Sequence, residues 1–386
     1  MTTHRPPVCG ILPPYLLRTL AQRTGEPAVA RAAEHTLLIE RTLRTEREVR
    51  AHAPHDRGRP PGPGFVPDRL RSAPAPPRRR PTVTTEEASE GPASPQRSVH
   101  DAEHGSSLPG TLARSEGQGP HADESVNEAY DGLGATWRLF QQEFGRDSLD
   151  GAGLPLVASV HFERDYDNAF WDGRQMVFGD GDGKVFRSFT DSLDVIGHEL
   201  AHGFTQYTAG FVYVGQSGAL NEHVSDVFGV LTAQFNADVD ANAADWLVGK
   251  ELFTEAVNGK ALRSMIEPGT AYDDPQLGKD PQPASMADYV TLPHTAEHDN
   301  GGVHINSGIP NRAFALAARE VGGRAWQTVG PVWYDVMTAG ELAKDADFVA
   351  FARATLAAAL ARYGEDSPAW RAVDGAWREV GVETAG

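Results

Sequence analysis

Apolar positions recur with helical spacing over much of the C-terminal half. Across 193–207, 220–235, 309–321 and 348–362 they return every three or four residues, which predicts four amphipathic helices. The alanine-rich stretch 354–361 strengthens the last of these, because alanine is the best helix former. Upstream the spacing changes. Short apolar runs at 157–162 and 175–178 predict strands, and Gly179-Asp180-Gly181-Asp182-Gly183 between Val177 and Val185 predicts a hairpin turn. The whole of 98–192 therefore reads as β-like. Near the N-terminus, Pro13-Pro14-Tyr15-Leu16-Leu17 precedes a helix-like stretch that runs to about Arg50. In it Leu37, Leu38, Ile39 and Leu43 lie among Arg and Glu, and Glu46 and Arg50 form a favourable i, i+4 pair. Between these parts, 51–97 shows no apolar periodicity. Pro, Arg, Gly and Ala dominate it, as expected of an open, protease-accessible linker. The chain thus divides into a short leader at 1–50, a linker at 51–97, a β-rich lobe at 98–208 and a helical lobe at 209–386. The leader is too small to fold alone.

Charge adds a contrast between these pieces. The 386 residues carry a net charge of −18, yet the first hundred sum to +6, so the remainder carries −24. A basic leader and an acidic body attract each other. The acidic body excludes nucleic acid as its partner, since phosphates are repelled. Arg78-Arg79-Arg80 in the linker reads either as a solvated charge cluster or as a contact patch. With Cys9 as the single cysteine, no intrachain disulfide forms. No run of 18 apolar residues exists, so no membrane span is expected. The apolar stretch at 11–17 is interrupted by Pro13 and Pro14 and does not read as a signal peptide. That predicts a cytoplasmic protein, with export by a non-classical route as the alternative.

The chemistry concentrates at His198-Glu199-Leu200-Ala201-His202. On a helix, positions i and i+4 share a face, so two imidazoles can hold one Zn²⁺ while Glu199 takes a proton from metal-bound water. A catalytic zinc commonly has three protein ligands and one open position. Asn221-Glu222-His223-Val224-Ser225-Asp226 offers the third, with Glu222 and Asp226 again at i and i+4. One carboxylate binds the metal and the other accepts the second N–H of a ligand imidazole. Taken alone, the same pair reads as an exposed acidic helix face.

These residues, read from Gly218-Ala219-Leu220 through Asp226, resemble the thermolysin family of metallopeptidases. The resemblance extends to Asn168-Ala169-Phe170-Trp171 and to Asp299-Asn300-Gly301-Gly302-Val303-His304-Ile305-Asn306-Ser307-Gly308, in the family's order. It implies an α+β zincin, with a β-rich N-terminal lobe, a helical C-terminal lobe and the active-site helix between. It implies one catalytic zinc on His198, His202 and Glu222, with Glu199 as general base and later proton donor. By the same resemblance His304 and Tyr213 donate to the oxyanion, Asp299 orients His304, and Asp226 orients His198. Asn168, Ala169 and Trp171 belong to the strand that holds substrate, and Arg263 grips a substrate carbonyl. Phe186, Phe189, Val195, Val248 and Leu262 line an apolar pocket for the residue after the scissile bond, which implies cleavage before bulky hydrophobic residues. Outside that frame, Tyr213 reads as a packed aromatic, His304 as a core histidine and Arg263 as an ion-pair partner. The expected partners are protein or peptide substrates and the chain's own leader.

Two departures stand out. Of the acidic ligands of the family's double calcium site, Asp194 and Asp245 are present. Ala233, Leu247, Lys250 and Lys260 fall where ligands are usual, so no double calcium site is expected. The Asp-Gly loop at 179–183 also lacks the EF-hand's distal Glu. The leader, Cys9-Gly10-Ile11-Leu12-Pro13-Pro14-Tyr15-Leu16-Leu17, resembles the short pro-segment of the protealysin-like branch, which implies a precursor held latent by its leader and freed by self-processing. Cys9 is either a zinc ligand of that precursor or a small buried hydrophobe. Two other functions remain open. An aminopeptidase calls for capture of a free amino terminus, and a non-catalytic peptide binder calls for loss of Glu199 or of a zinc ligand.

Overall fold

The computed structural model of the chain describes residues 10–52 and 93–384. Cys9 and Arg78, Arg79 and Arg80 lie outside the described residues. Two helices open the chain, α1 (Pro14–Arg23) and α2 (Pro27–His52). Pro14 starts α1 because a proline in the first turn forfeits no helical hydrogen bond.

A five-stranded mixed sheet follows, formed by β1 (Arg97–Asp101), β2 (Thr111–Ser115), β3 (Leu156–Val160), β4 (Ala169–Trp171) and β5 (Met176–Phe178), in the spatial order β2-β1-β3-β5-β4. β1 and β3 are parallel, as are β3 and β5, while β4 returns antiparallel to β5 with Phe170 opposite Val177. β4 is thus an edge strand with a backbone face available for pairing.

Between β2 and β3 the chain forms α3 (Glu124–Phe144), capped by the Asp123 side chain, which accepts from Ser125 N. This helix corrects the β-like reading of 98–192. Val126, Tyr130, Leu133, Trp137 and Phe140 supply its buried stripe, but Gly132 and Gly134 interrupt the sequence signal. Gly132 is needed there, since a Cβ would lie 2.5 Å from Ile196 Cδ1. The hairpin expected at 179–183 is also corrected. Asp182 Oδ1 accepts from the N–H groups of Lys184, Val185 and Phe186. That turns the chain out of the sheet, and Phe186 bridges to Phe253 instead.

The remaining elements are α4 (Leu193–Tyr207), α5 (Gly215–Ala237), the ribbons β6 (Leu247–Val248) with β7 (Arg263–Ser264) and β8 (Asp273–Asp274) with β9 (Gly278–Lys279), then α6 (Asp299–Asn306), α7 (Gly308–Val321), α8 (Ala325–Thr328), α9 (Gly330–Thr338), α10 (Phe348–Tyr363) and α11 (Pro368–Glu379). α4 and α5 touch backbone to backbone. A Cβ on Gly229 would lie 2.4 Å from Asp194 O, so only glycine lets the two helices approach this closely. The main hydrophobic core among the described residues includes Ile11, Leu12, Leu16, Leu17, Leu20 and Val29 of the leader.

Candidate active site

α4 and α5 bring the predicted ligands together. His198 and His202, one turn apart on α4, face Glu222 on α5, and one ligand atom from each lies within 4.8 Å of the others. All three are buried, with Glu222 fully so. His198 Nε2 and His202 Nε2 are buried without a hydrogen-bond partner among the described residues. Leaving such nitrogens unpaired is costly, so the pair fits a group that draws on both lone pairs. Two imidazoles and a carboxylate are the donor set a divalent zinc takes, and the residues present fit that ion.

The outer nitrogens of both histidines are held. His198 Nδ1 bonds Asp226 Oδ1 at 2.8 Å, and His202 Nδ1 lies 2.9 Å from Asn221 Oδ1 and 3.0 Å from Ser225 Oγ. Donation from Nδ1 leaves Nε2 as the free lone pair, the tautomer a metal needs. Sequence reasoning placed Asp226 but missed Asn221 and Ser225, although their i, i+4 spacing within the same block is a readable signal. Asp226 also forms two hydrogen bonds with Arg263, at 3.0 and 2.8 Å, and accepts from Asn311 Nδ2 at 2.8 Å. Burial pushes the Asp226 carboxyl up, but Arg263 and His198 together hold it far below the usual carboxylate range.

Glu199, next to His198, is fully buried, and Oε2 accepts from Trp171 N at 3.0 Å. Burial, and then the neighbouring Glu222, push its carboxyl well above the ordinary range. Trp171 Nε1 donates to Gln206 Oε1 at 3.1 Å, which fixes the strand end against α4. Burial opposes charge on Glu222, yet the imidazoles of His304, His202 and His198 hold it down at about 2.

The chain bends sharply into α6, where Asp299, Asn300, Gly301 and Gly302 all have positive φ. That bend lets Asp299 Oδ1 meet His304 Nδ1 at 2.6 Å and leaves His304 Nε2 3.4 Å from Glu222 Oε2. Burial lowers His304, but the Asp299 and Glu222 carboxylates outweigh it and raise the imidazole to about 9. The Tyr213 hydroxyl donates to Glu222 Oε1.

Phe186, Phe189, Val195, Val248 and Leu262 are all buried, with 4% exposure at most, and the Phe186 and Phe189 rings lie 6.0 Å apart. At the positions considered for calcium, Asp194 accepts from Ser192 Oγ and Gly249 N, each at 2.5 Å, and Lys250 Nζ pairs with Asp245 at 2.8 Å.

The leader runs along β4. Gly10 bridges antiparallel to Phe170, and Ile11 N donates to Ala169 O at 3.1 Å. Leu12 N donates to Asn168 Oδ1 at 2.9 Å, and Asn168 Nδ2 donates to Leu12 O at 3.2 Å and to Glu40 of α2. Arg263 donates to Ile11 O at 3.2 Å, and Thr36 Oγ1 accepts from Asp167 N at 2.9 Å. Thr36 and Glu40 were not singled out from the sequence, though they share a face of α2 one turn apart.

Comparison with known proteins decides the family. Residues 85–206 match the profile "Thermolysin metallopeptidase, catalytic domain", and residues 209–382 match "Thermolysin metallopeptidase, alpha-helical domain". A relative named "Extracellular metalloprotease" from Pectobacterium carotovorum subsp. carotovorum is 45% identical over 378 residues, spanning 98% of this chain and 97% of its own. The chain belongs to the thermolysin family of metallopeptidases.

Within that family the fold aligns with the solved precursor of protealysin, a metalloproteinase from Serratia proteamaculans. The TM-score is 0.80 at 45% identity, covering 97% of this chain and 100% of that one. An "Extracellular minor metalloprotease" from Serratia marcescens is 47% identical over 201 residues, 52% of this chain and 56% of its own. The thermolysin-like architecture and the protealysin-like branch expected from the sequence are both borne out. The protein is a zinc-dependent neutral endopeptidase. The cytoplasmic expectation is corrected, because relatives of this family are named extracellular, which points to secretion. The apolar pattern of the leader misled here. Its leucines and prolines are spent on packing against the cleft, and they say nothing about the export route.

Proposed function

We propose that the site works as a latent endopeptidase with the following division of labour. His198, His202 and Glu222 would hold the zinc, which supplies Lewis acidity toward the peptide carbonyl and a water acidic enough to attack near neutral pH. Glu199 takes a proton from the attacking water and later delivers it to the leaving nitrogen. Its buried, raised carboxyl suits a group that must both accept and return a proton. His304, kept cationic by Asp299, and the Tyr213 hydroxyl donate to the oxyanion as charge develops there. Asp226 fixes the His198 tautomer.

Substrate adds to β4 as an extra strand. Asn168 and the Ala169 backbone hold it, and Arg263 grips the carbonyl after the scissile bond. Trp171 anchors both the strand end and Glu199. The apolar lining from Phe186 to Leu262 selects bulky hydrophobic side chains, each worth about 1.5–3 kcal/mol on burial. Residues 1–50 act as the inhibitory pro-segment and 51–97 as the segment opened by self-processing. Residues 98–208 and 209–386 form the two catalytic lobes, a division supported by the end of α4 at Tyr207. The mature protein acts outside the cell. No double calcium site forms, since Lys250 sets its own charge beside Asp245.

The observation that carries this reading is the pair of orphaned, oriented imidazole nitrogens facing Glu222 beside a buried Glu199. The test is digestion of an unfolded protein by the processed chain, with cut sites mapped by mass spectrometry. Internal cuts before Leu, Ile and Phe are expected. They should vanish with a chelator, return with zinc, and be absent from Glu199→Gln that still binds zinc. Removal of single residues from the amino end alone would overturn the endopeptidase assignment.

A further inference from the structure

The register of the leader in the cleft singles out one of its own peptide bonds. Ile11 and Leu12 occupy the groups assigned above to the residues after the scissile bond. Ile11 N donates to Ala169 O, Ile11 O accepts from Arg263, and Leu12 exchanges both backbone groups with Asn168. The Ile11 N–H also faces the Glu199 carboxylate, whose other anchor is Trp171 N. The nitrogen presented to the proton donor, where a leaving amine must stand, is therefore that of Ile11. Gly10 precedes it, paired with Phe170. A Cβ there would lie 2.5 Å from Asn168 Nδ2, so glycine is what lets the strand lie this close. Ile11 is fully buried, as the residue after a cut should be in an apolar pocket.

We propose that the full-length chain hydrolyses its own Gly10–Ile11 bond, releasing residues 1–10 while the rest of the leader stays seated. The inference rests on the endopeptidase reading and is separate from removal of the leader at the linker. Water adds to the Gly10 carbonyl carbon and gives a proton to Glu199. The carbon–nitrogen bond breaks, and Glu199 passes the proton to the Ile11 nitrogen. One water is consumed, and Gly10 gains a carboxylate as Ile11 gains an amine. The bond lies in the molecule's own cleft, so the step is intramolecular. Leu16, Leu17 and Leu20 remain buried and Glu40 remains bonded to Asn168, so the new amine is held where it formed. Residues 1–10 depart while the seated remainder still fills the cleft, so the cut leaves the protein latent.

The experiment follows the zinc-loaded full-length chain by intact mass in water labelled with heavy oxygen, at two widely spaced protein concentrations, with an added protein substrate as a parallel readout. A peptide of residues 1–10 with label in the Gly10 carboxylate is expected, formed with a half-time independent of protein concentration. It should be absent with a chelator and from Glu199→Gln. Amide exchange in the metal-free Glu199→Gln chain reads the register without turnover, and slow exchange at Ile11 and Leu12 is expected. An active enzyme that keeps residues 1–10 attached overturns this inference and leaves the endopeptidase reading standing. A half-time that shortens as concentration rises, or fast exchange at Ile11 and Leu12, overturns it as well. A zinc-loaded chain that cuts neither itself nor the added protein after leader removal overturns both.

Discussion

Asp226 serves three partners at once: the His198 imidazole, the Arg263 guanidinium and the Asn311 amide. Asp226→Asn keeps the shape and removes the charge. Arg263 is then buried without its counter-ion, which costs about 3–5 kcal/mol, and His198 loses its orienting carboxylate, which costs about 10–100-fold in metal affinity. Thermal unfolding of the metal-free chain and zinc titration check the two effects separately. A second residue-scale prediction concerns His161, whose ring bridges Asp180 at 2.8 Å and Asp123 at 2.9 Å. Its bond to Asp180 outweighs partial burial and lifts the imidazole from 6.5 to about 9. A raised folded-state pKa means the stabilisation is whole below the unfolded value and is lost as pH rises through the folded one. The deficit in melting temperature of His161→Gln should be fullest below pH 6.5 and fade through about pH 9. A deficit that is constant with pH would show that the bridge contributes packing alone. Residues with chemistry were the most legible from sequence, because metal ligands and their carboxylate partners recur at fixed helical spacing. Asn311 was not, since a neutral amide far along the chain carries no signal until the fold places it against Asp226, whereas Asn221 and Ser225 were readable from their spacing and were passed over.

At the scale of elements, α4 and α5 act as one unit through their glycines. Gly229→Ala drives a methyl toward Asp194 O, 2.4 Å away, and neither backbone can move without its neighbours. The expected cost is about 1–3 kcal/mol from overpacking, together with weaker zinc binding, because α4 carries His198 and His202 while α5 carries Glu222. Calorimetry and metal titration of the variant test both, and unaltered zinc affinity would show that the helices slide without disturbing the ligands. The long periodic helices were readable from apolar spacing. α3 was not, because Gly132, which admits Ile196, and Gly134, which lies against Arg97, dilute its stripe. The hairpin turn expected at 179–183 failed for a different reason. Asp182 satisfies three backbone donors that a hairpin would have paired across the sheet, a side-chain competition with the ladder that periodicity does not report.

For the whole molecule, the leader is part of the core. Leu17 is fully buried in the shared cluster, so Leu17→Ala costs about 2–5 kcal/mol of leader docking. The variant should shed its leader sooner than the wild type at equal zinc, followed by intact mass over time. An unchanged rate would show that helix undocking does not limit activation. That the leader meets the body was readable from the short pro-segment motif, whereas the charge contrast did not foretell the contact, since the Lys–Glu pair across it joins Glu26 of the leader to Lys184 of the body. The way it meets the body was not, because the contacts are mostly apolar packing and backbone pairing along an edge strand.

Asn168 holds the leader and, in the mechanism proposed above, the incoming substrate as well, which has a consequence for selection. A lineage cannot escape its own inhibitor by altering Asn168, Ala169 or Arg263, because those changes also weaken the grip on substrate. Genetic screens for activity without processing should therefore return substitutions on the leader's side, at Thr36, Glu40 or Leu17, and almost none in the cleft. The two halves of the chain are free to drift only on one side of their contact, and the catalytic side is the one held still.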